Sequence, residues 1–254
     1  MKLRELFAEL QDFYALSLNV LVGTFRRPYY VRETVEQMDY AGAGSFFIVF
    51  LVSLFIGMAL SLQISTELSS LGLKMYTGKI VGISIIREIG PVAVALSYAG
   101  RVGSGMTSEL GSMVLGHQVD MIRVFGMDPV KKLVTPRVVS STLMLPLLTV
   151  IGDAVALAGG YYISVFASHQ SGSFYWSQIM DALTFDNILA GLAKPFLFGF
   201  LTAAISCHMG LSARGGARGL RRATTSAVVL STVTIIITDF MLTRVLFFIM
   251  EMPA

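Results

Sequence analysis

The sequence predicts an all-α integral membrane protein, with an N-terminal amphipathic interfacial helix followed by five transmembrane helices. Hydrophobic residues make up 54% of the 254 residues and charged residues only 14%, below the ~25% typical of soluble domains. The apolar residues are concentrated in five runs, each long enough to provide the ~20 helical residues that cross a bilayer core. Basic residues lie mainly between these runs, as the positive-inside rule describes.

Residues 1–43 are predicted to form an interfacial region that precedes the spans. The apolar face of its first helix comprises Leu3, Leu6, Phe7, Leu10, Phe13 and Tyr14, and the polar face comprises Lys2, Glu5, Glu9 and Asp12. A helix of this kind lies in the plane of the membrane interface, and a soluble-type helix packed on the protein is the alternative. The sequence Arg26-Arg27-Pro28 is expected to end this helix.

Residues 44–254 contain the five spans. The apolar runs are 44–64, 80–99, 138–167, 188–209 and 223–250. The first span is the least regular, because Gly42, Gly44 and Gly57 weaken a helix, so a broken or re-entrant segment is an open alternative there. Since no internal repeat or linker divides the chain, we expect a single membrane domain over residues 1–254.

The distribution of Lys and Arg predicts the orientation. The connections hold 5, 2, 4, 0, 4 and 0 of these residues, in the order 1–43, 65–79, 112–137, 168–187, 210–222 and 251–254. This alternation places the N-terminus in the cytoplasm and the C-terminus outside, which requires an odd number of spans. Because the basic residues flank apolar spans, the net charge of +3 does not indicate a nucleic-acid partner.

The motifs of soluble catalysis are absent from the sequence. The segment from Gly72 to Lys79 resembles a phosphate-binding loop, but five residues separate its glycines where four are needed, and Ile80 stands where Ser or Thr is required. The histidines at 117, 169 and 208 lack the spacing of metal ligands. We therefore expect no enzyme activity, no metal site and no cofactor in this chain.

Residues 86–136 mix charged, small and apolar residues in a way that does not suit a lipid-facing helix. Small residues recur every four positions, at Gly100, Ser104 and Ser108 and at Ala99 and Gly103. This spacing lets helix backbones approach closely, either within the chain or across a dimer interface. Both uses are compatible with the sequence.

Together, these segments resemble the MlaE-type permease family, the membrane subunits of Mla and Mce ABC lipid-transport systems. The resemblance rests on residues 87–91 (REIGP), 99–104 (AGRVGS), 109–113 (ELGSM), 117–120 (HQVD), 127–129 (MDP) and 219–229 (GLRRATTSAVV). The chain departs from the family pattern at His117, where Glu is usual, and at Arg123, where an acidic residue is common.

The resemblance implies a permease homodimer in a bacterial inner membrane. It further implies two cytoplasmic ATPase subunits, which bind ATP and Mg²⁺, and a phospholipid exchanged with a periplasmic Mce-domain protein. The segment from His117 to Phe125 is short and amphipathic, which suits docking into an ATPase groove; a membrane-surface helix without a partner is the alternative. The residues assigned to ATPase coupling are His117, Gln118, Asp120, Ile122, Arg123 and Phe125.

Ionisable residues within the spans are the candidates for substrate binding, because such residues normally face a protein interior or a cavity. At ~1.5 Å per residue, Arg87, Glu88 and Lys194 lie ~10–12 Å below the outer surface. Asp239 lies ~24 Å above the inner surface, which is also the outer half, and Asp153 comes to a similar level. We interpret Arg87, Glu88, Lys194 and Asp239 as the polar lining of an outward-facing cavity that contacts a lipid headgroup.

Three alternatives remain open at this point. The same charges are compatible with a buried structural network, such as a Lys194–Asp239 pair, and this network could coexist with a binding site. An ion- or proton-coupled secondary transporter would use Asp153, Glu88 and Asp239 as a relay. A non-transporting membrane scaffold would need no such site.

Overall fold

The structure is a computed structural model that describes residues 2–25, 29–167 and 170–251. These residues are predominantly helical and include no strand, which confirms the predicted all-α class. Five helical segments are long and apolar enough to cross a membrane, namely Val31–Ser70, Lys74–Leu115, Val130–Phe166, Phe185–Leu211 and Gly216–Phe248. The predicted number of spans is therefore confirmed.

The α-helices are numbered in chain order within the described residues. They are α1 (Lys2–Phe25), α2 (Val31–Ala41), α3 (Phe46–Ser70), α4 (Thr77–Ser84), α5 (Gly90–Tyr98), α6 (Ser104–Leu115), α7 (Gln118–Val124), α8 (Thr135–Phe166), α9 (Gly172–Ala182), α10 (Phe185–Leu211) and α11 (Gly216–Glu251). Short 3-10 turns at Ala43–Ser45 and Lys74–Tyr76 precede α3 and α4.

Spans two and three contain π-helical turns at Ile85–Ile89, Ala99–Gly103 and Val130–Val134. A π turn holds one residue more than an α turn and often occurs at functional sites. The second span runs over Lys74–Leu115, well beyond the apolar run 80–99, because its inner part is helical although it is rich in small and polar residues.

The apolar part of the first span, from Phe46 to Ser70, is one continuous α-helix. Helix α3 has 25 residues and is ~38 Å long at 1.5 Å per residue, which is enough to cross a bilayer core. The irregularity predicted for this span lies before it, at Gly42 and the 3-10 turn Ala43–Ser45.

Helix α1 is packed on the protein by one face, with Leu16 and Val20 buried. Tyr14, Leu18 and Val22 are exposed on the remainder of its surface, as in a helix that lies at a membrane interface. The residues predicted to end this helix, 26–28, lie outside the described part of the chain.

The chain forms two compact units, each made of three chain segments. The first comprises Met1–Gly44, Tyr98–Met144 and Phe198–Ile235, and the second comprises Ser45–Ser97, Leu145–Leu197 and Ile236–Ala254.

In the first unit, helices contact each other through polar side chains. Thr107 Oγ1 donates to the carbonyl oxygen of Ser206 at 3.0 Å. The buried guanidinium of Arg137 pairs with the Glu109 carboxylate at 2.8 Å, and Arg101 donates to the carbonyl oxygen of a residue in α2. These three contacts join segments of the first unit that are distant in the sequence.

In the second unit, α4 and α9 pack on α8 around an apolar cluster. Its buried members are Val81, Ile85, Ile86, Ala156, Leu157, Tyr175 and Ile179. The Ser61 hydroxyl of α3 lies 2.9 Å from the carbonyl oxygen of Gly160 and 2.8 Å from the Ser164 hydroxyl. This unit contains all four residues predicted to bind substrate.

Candidate functional site

Lys194 on α10 is the centre of a polar cluster in the second unit. Its Nζ atom lies 2.7 Å from Glu88 Oε2 and 2.9 Å from Asp239 Oδ1. The same atom donates to the carbonyl oxygen of Arg87 at 2.9 Å and to Thr243 Oγ1 at 2.8 Å. The structure therefore brings together the four residues singled out in the sequence, which come from spans two, four and five.

The hydrogen bonds of Lys194 account for its whole ammonium group. A lysine ammonium has three N–H groups, and here they donate to Glu88, Thr243 and the Arg87 carbonyl. Among the described residues, no donor hydrogen-bonds to the buried Asp239 Oδ1, so its 2.9 Å approach to Nζ is a charge–charge contact. The Lys194 side chain is only 1% exposed, so it is enclosed by protein groups.

Pro91 explains why the Arg87 carbonyl can accept a bond from Lys194. In an α-helix, the carbonyl of one residue accepts from the N–H of the residue four positions later. The residue four positions after Arg87 is Pro91, which has no N–H. Lys194 supplies a donor to this carbonyl, and the π turn at Ile85–Ile89 occurs at the same place.

Gly191 allows α10 to approach span two closely enough for this bond. A Cβ atom at Gly191 would overlap the carbonyl oxygen of Ile86. Lys194 follows Gly191 by three residues, about one helical turn, so its side chain begins close to the Arg87 carbonyl. A side chain at position 191 would separate the two backbones.

The cluster is open on the side of its carboxylates, since the Glu88 side chain is 38% exposed and that of Asp239 is 18% exposed. The four residues comprise two cations, Arg87 and Lys194, and these two anions, so their formal charge is balanced. A balanced cluster avoids the high cost of an unpaired charge in an apolar environment.

The Arg87 side chain is held at the edge of the cluster. Its guanidinium carbon lies 4.7 Å from the ring centroid of Phe247, a cation–π arrangement. Its Nη1 atom donates to Asn187 Oδ1 over a long 3.4 Å. Arg87 is partly buried, and both contacts orient its planar group.

Asp153 was predicted at the same depth, but among the described residues no contact joins it to the cluster. Its Oδ1 atom is buried without a hydrogen-bond partner, and it occupies the space that a Cβ atom of Gly90 would need. The depth estimate gives height within the membrane but not the direction in which a side chain points.

Sequence reasoning missed Thr243 and Asn187. Thr243 follows Asp239 by four residues, and Asn187 precedes Lys194 by seven. Both spacings place the pair on one helix face, so a search for polar residues at helical spacing from each membrane charge would have found them.

The predicted coupling segment forms helix α7, Gln118–Val124. It begins after His117, whose φ of 56° places it in the left-handed region and produces a sharp turn from α6. Asp120 lies 3.3 Å from His117 Nδ1 and 3.2 Å from Arg123 Nη1. These three residues therefore form a small exposed network on one side of the helix.

The apolar residues of this segment lie on two sides. Val119 is buried and Ile122 is half-buried, whereas Met121, Val124 and Phe125 are exposed. Helix α7 ends at Val124, and Phe125, the residue after it, still donates its N–H to the Met121 carbonyl oxygen while its side chain is exposed. The exposed apolar surface is the one available to a partner.

Comparison with known proteins identifies the family of this chain. Residues 34–245 match the family described as Permease MlaE. The chain belongs to this family. The resemblance noted in the sequence is thereby confirmed, and as a member of a permease family with five apolar spans, the protein is a multi-pass membrane transport component.

Relatives of this MlaE-family chain occur in bacteria and in plastids. A probable ABC transporter permease of Rickettsia typhi is 34% identical over 95% of this chain and 93% of its own length. A probable ABC transporter permease of Synechocystis is 35% identical over 91% of this chain and 86% of its own length. The chloroplastic protein TRIGALACTOSYLDIACYLGLYCEROL 1 of Arabidopsis thaliana is 37% identical over 85% of this chain and 62% of its own length.

Proposed function

We propose that this MlaE-family protein is the transmembrane permease of an ATP-driven ABC transporter for phospholipid. The observation that carries the proposal is the charge-balanced cluster around Lys194, which lies within apolar spans and is open at Glu88. The naming of relatives as ABC transporter permeases supports ATP-driven transport. The name of the Arabidopsis relative, which contains that of a lipid, supports a lipid substrate.

In this proposal, Arg87, Glu88 and Asp239 contact the headgroup, and Lys194 holds them in place. A guanidinium suits a phosphate because it donates two parallel hydrogen bonds. The carboxylates of Glu88 and Asp239 keep the site from becoming strongly cationic and can accept from a headgroup donor. Lys194 was predicted to be a member of the same site, and because its ammonium donates to three protein acceptors, we assign it a positioning role there.

Replacing Arg87 with glutamine is expected to lower the yield of crosslinking to a photoactivatable phospholipid by about tenfold, the loss of roughly one charge-assisted hydrogen bond. The measurement is crosslinked protein per folded molecule in lipid nanodiscs. The matched control is Arg244→Gln, because Arg244 is an exposed arginine of α11. Equal yields for the two variants would refute a headgroup contact at Arg87.

The contacts favour this proposal over a proton-coupled transporter. A relay would need Asp153, Glu88 and Asp239 in one connected path. In the described part of the chain, Glu88 and Asp239 meet through Lys194, whereas the buried Oδ1 atom of Asp153 has no hydrogen-bond partner.

The proposed location is a bacterial inner membrane, with the N-terminus cytoplasmic and the C-terminus periplasmic. All three basic segments, 1–43, 112–137 and 210–222, belong to the first unit, and the connections at 65–79 and 168–187 belong to the second.

We also propose a homodimer and a periplasmic Mce-domain partner. In support of the dimer, Gly100 and Ser108 are exposed, whereas Ala99 and Gly103 are buried within the chain.

We propose that α7 and Phe125 dock on the ATPase subunit that binds ATP and Mg²⁺. A Phe125→Asp variant is expected to co-purify at least about tenfold less ATPase, because a charge would replace an exposed apolar anchor. Leu71→Asp is the matched control, since both side chains belong to 70% exposed residues and Leu71 lies in the predicted outer connection. Normal ATPase recovery with Phe125→Asp, and with a second variant at Asp120 and Ile122, would show that docking occurs elsewhere.

A further inference from the structure

The second unit contains a cavity that is separate from the Lys194 cluster. It has a volume of about 350 Å³ and lies among α8, α9 and α10, beside Ile86. Its walls are almost entirely apolar and include Val150, Ala154, Leu157, Trp176 and Leu192. This volume is within the usual range for a small-ligand site, and the apolar walls suit a hydrocarbon chain.

Asp153 is the only ionisable residue among those that line this cavity. Its Oδ1 atom is buried and has no hydrogen-bond partner in the described structure. Gly90 provides the space for that oxygen, because a Cβ atom there would overlap it. Buried carboxyl groups are rarely left without a partner, and an isolated charge in apolar surroundings is costly.

We propose that this cavity binds an amphiphile with a hydrocarbon chain and a primary ammonium, with the ammonium at Asp153. An ammonium carries the charge opposite to that of the Asp153 carboxylate and has N–H donors for it. The chain then lies against the apolar walls formed by α8 and α10. The site does not depend on whether the protein transports phospholipid, since no residue of the Lys194 cluster proposed to contact or position the headgroup lines the cavity.

Trp176 makes this cavity directly observable, because it lines the cavity and is the only tryptophan of the chain. Decylamine is titrated into the full-length protein in phosphatidylcholine nanodiscs while tryptophan emission is recorded. Decylamine is expected to cause a saturable change. Decyltrimethylammonium, which has the same chain and charge but no N–H, is expected to bind at least about tenfold more weakly. Equal affinities for the two compounds would overturn the proposal.

Three variants define the site. Ala154→Phe fills the cavity and is expected to remove the saturable change, whereas Leu147→Phe, at an exposed position of the same helix outside the lining, is expected to retain it. Asp153→Leu is expected to abolish the preference for decylamine. If Asp153→Leu does not fold, the location of the site is decided by comparing Ala154→Phe with Leu147→Phe. A saturable response that is retained in Ala154→Phe would contradict binding in this cavity.

A final comparison identifies the source of the ammonium. Replacing part of the phosphatidylcholine with phosphatidylethanolamine is expected to weaken the decylamine titration if a lipid headgroup enters the cavity. An unchanged titration assigns the site to free long-chain amines. The titration itself measures neither phospholipid crosslinking nor ATPase binding, so its failure is distinguishable from failure of the proposed function.

Discussion

Replacing Lys194 with alanine is expected to destabilise the protein by about 3–5 kcal/mol, the usual cost of removing one partner from a buried ion pair. The variant leaves Glu88 and Asp239 without the cation that they share. It also removes the hydrogen bond from the Lys194 side chain to the Arg87 carbonyl, and Pro91 has no N–H to take its place. The measurement is thermal unfolding of the purified protein in detergent. A large decrease in Tm is the expected result.

The control for this variant is Lys79→Ala, which removes an exposed lysine from α4. Asp239→Ala is expected to cost less than Lys194→Ala, because Lys194 keeps Glu88 as a counter-ion. Combining the two variants is expected to cost less than the sum, since removal of both charges leaves fewer groups unpaired. If Lys194→Ala unfolds at the same temperature as the wild type, Lys194 does not have the central role assigned to it.

Gly191→Ala is expected to lower stability by about 1–3 kcal/mol, as overpacking of a close contact does. The added methyl group would overlap the Ile86 carbonyl oxygen, which belongs to the backbone and cannot move aside as a flexible side chain can. Helix α10 must therefore shift, and Lys194 moves away from the Arg87 carbonyl. The same variant is expected to lose phospholipid crosslinking, although residue 191 itself carries no headgroup contact.

Gly100→Ala is the matched control for Gly191→Ala, because a Cβ atom at Gly100 meets no atom within 4 Å. Its unfolding temperature is expected to remain near that of the wild type. If Gly100 forms a dimer contact, the change appears in the dimer fraction on size exclusion and not in the Lys194 cluster. Equal unfolding temperatures of the two variants would show that the close contact at Gly191 does not restrict the approach of α10 to span two.

The sequence was sufficient to predict the number of spans and the grouping of three membrane charges. The five apolar runs correspond to the five helical segments, although the second segment extends well beyond its run. A fixed rise per helical residue brought Arg87, Lys194 and Asp239 to one predicted level, and the structure places them in one cluster. The hydropathy of a segment is an average over its residues, which is why it locates the apolar part of a span and not the small, polar end of span two.

The sequence was not sufficient to predict the direction of side chains around each helix. Asp153 was predicted at the height of the cluster, yet its carboxylate points to Gly90 and not to Lys194. The π turns also escaped prediction, because one additional residue per turn leaves the average hydropathy unchanged. Direction depends on the number of residues between two positions and on the turn type, and hydropathy reports neither.

The π turn at Ile85–Ile89 has a consequence for the evolution of chain length in this protein. Each residue of an α-helix advances the chain by about 100° around the axis. A π turn takes up one additional residue within a single turn, so the helix keeps its register on both sides of it. Loss of one residue from Ile85–Ile89 would restore a regular helix and leave Val81, which packs in the α9 contact, on its present face relative to Gly90. A one-residue deletion in a regular part of the helix would instead rotate the two parts by that angle. Homologous chains that lack one residue in span two are therefore expected to lack it at this π turn.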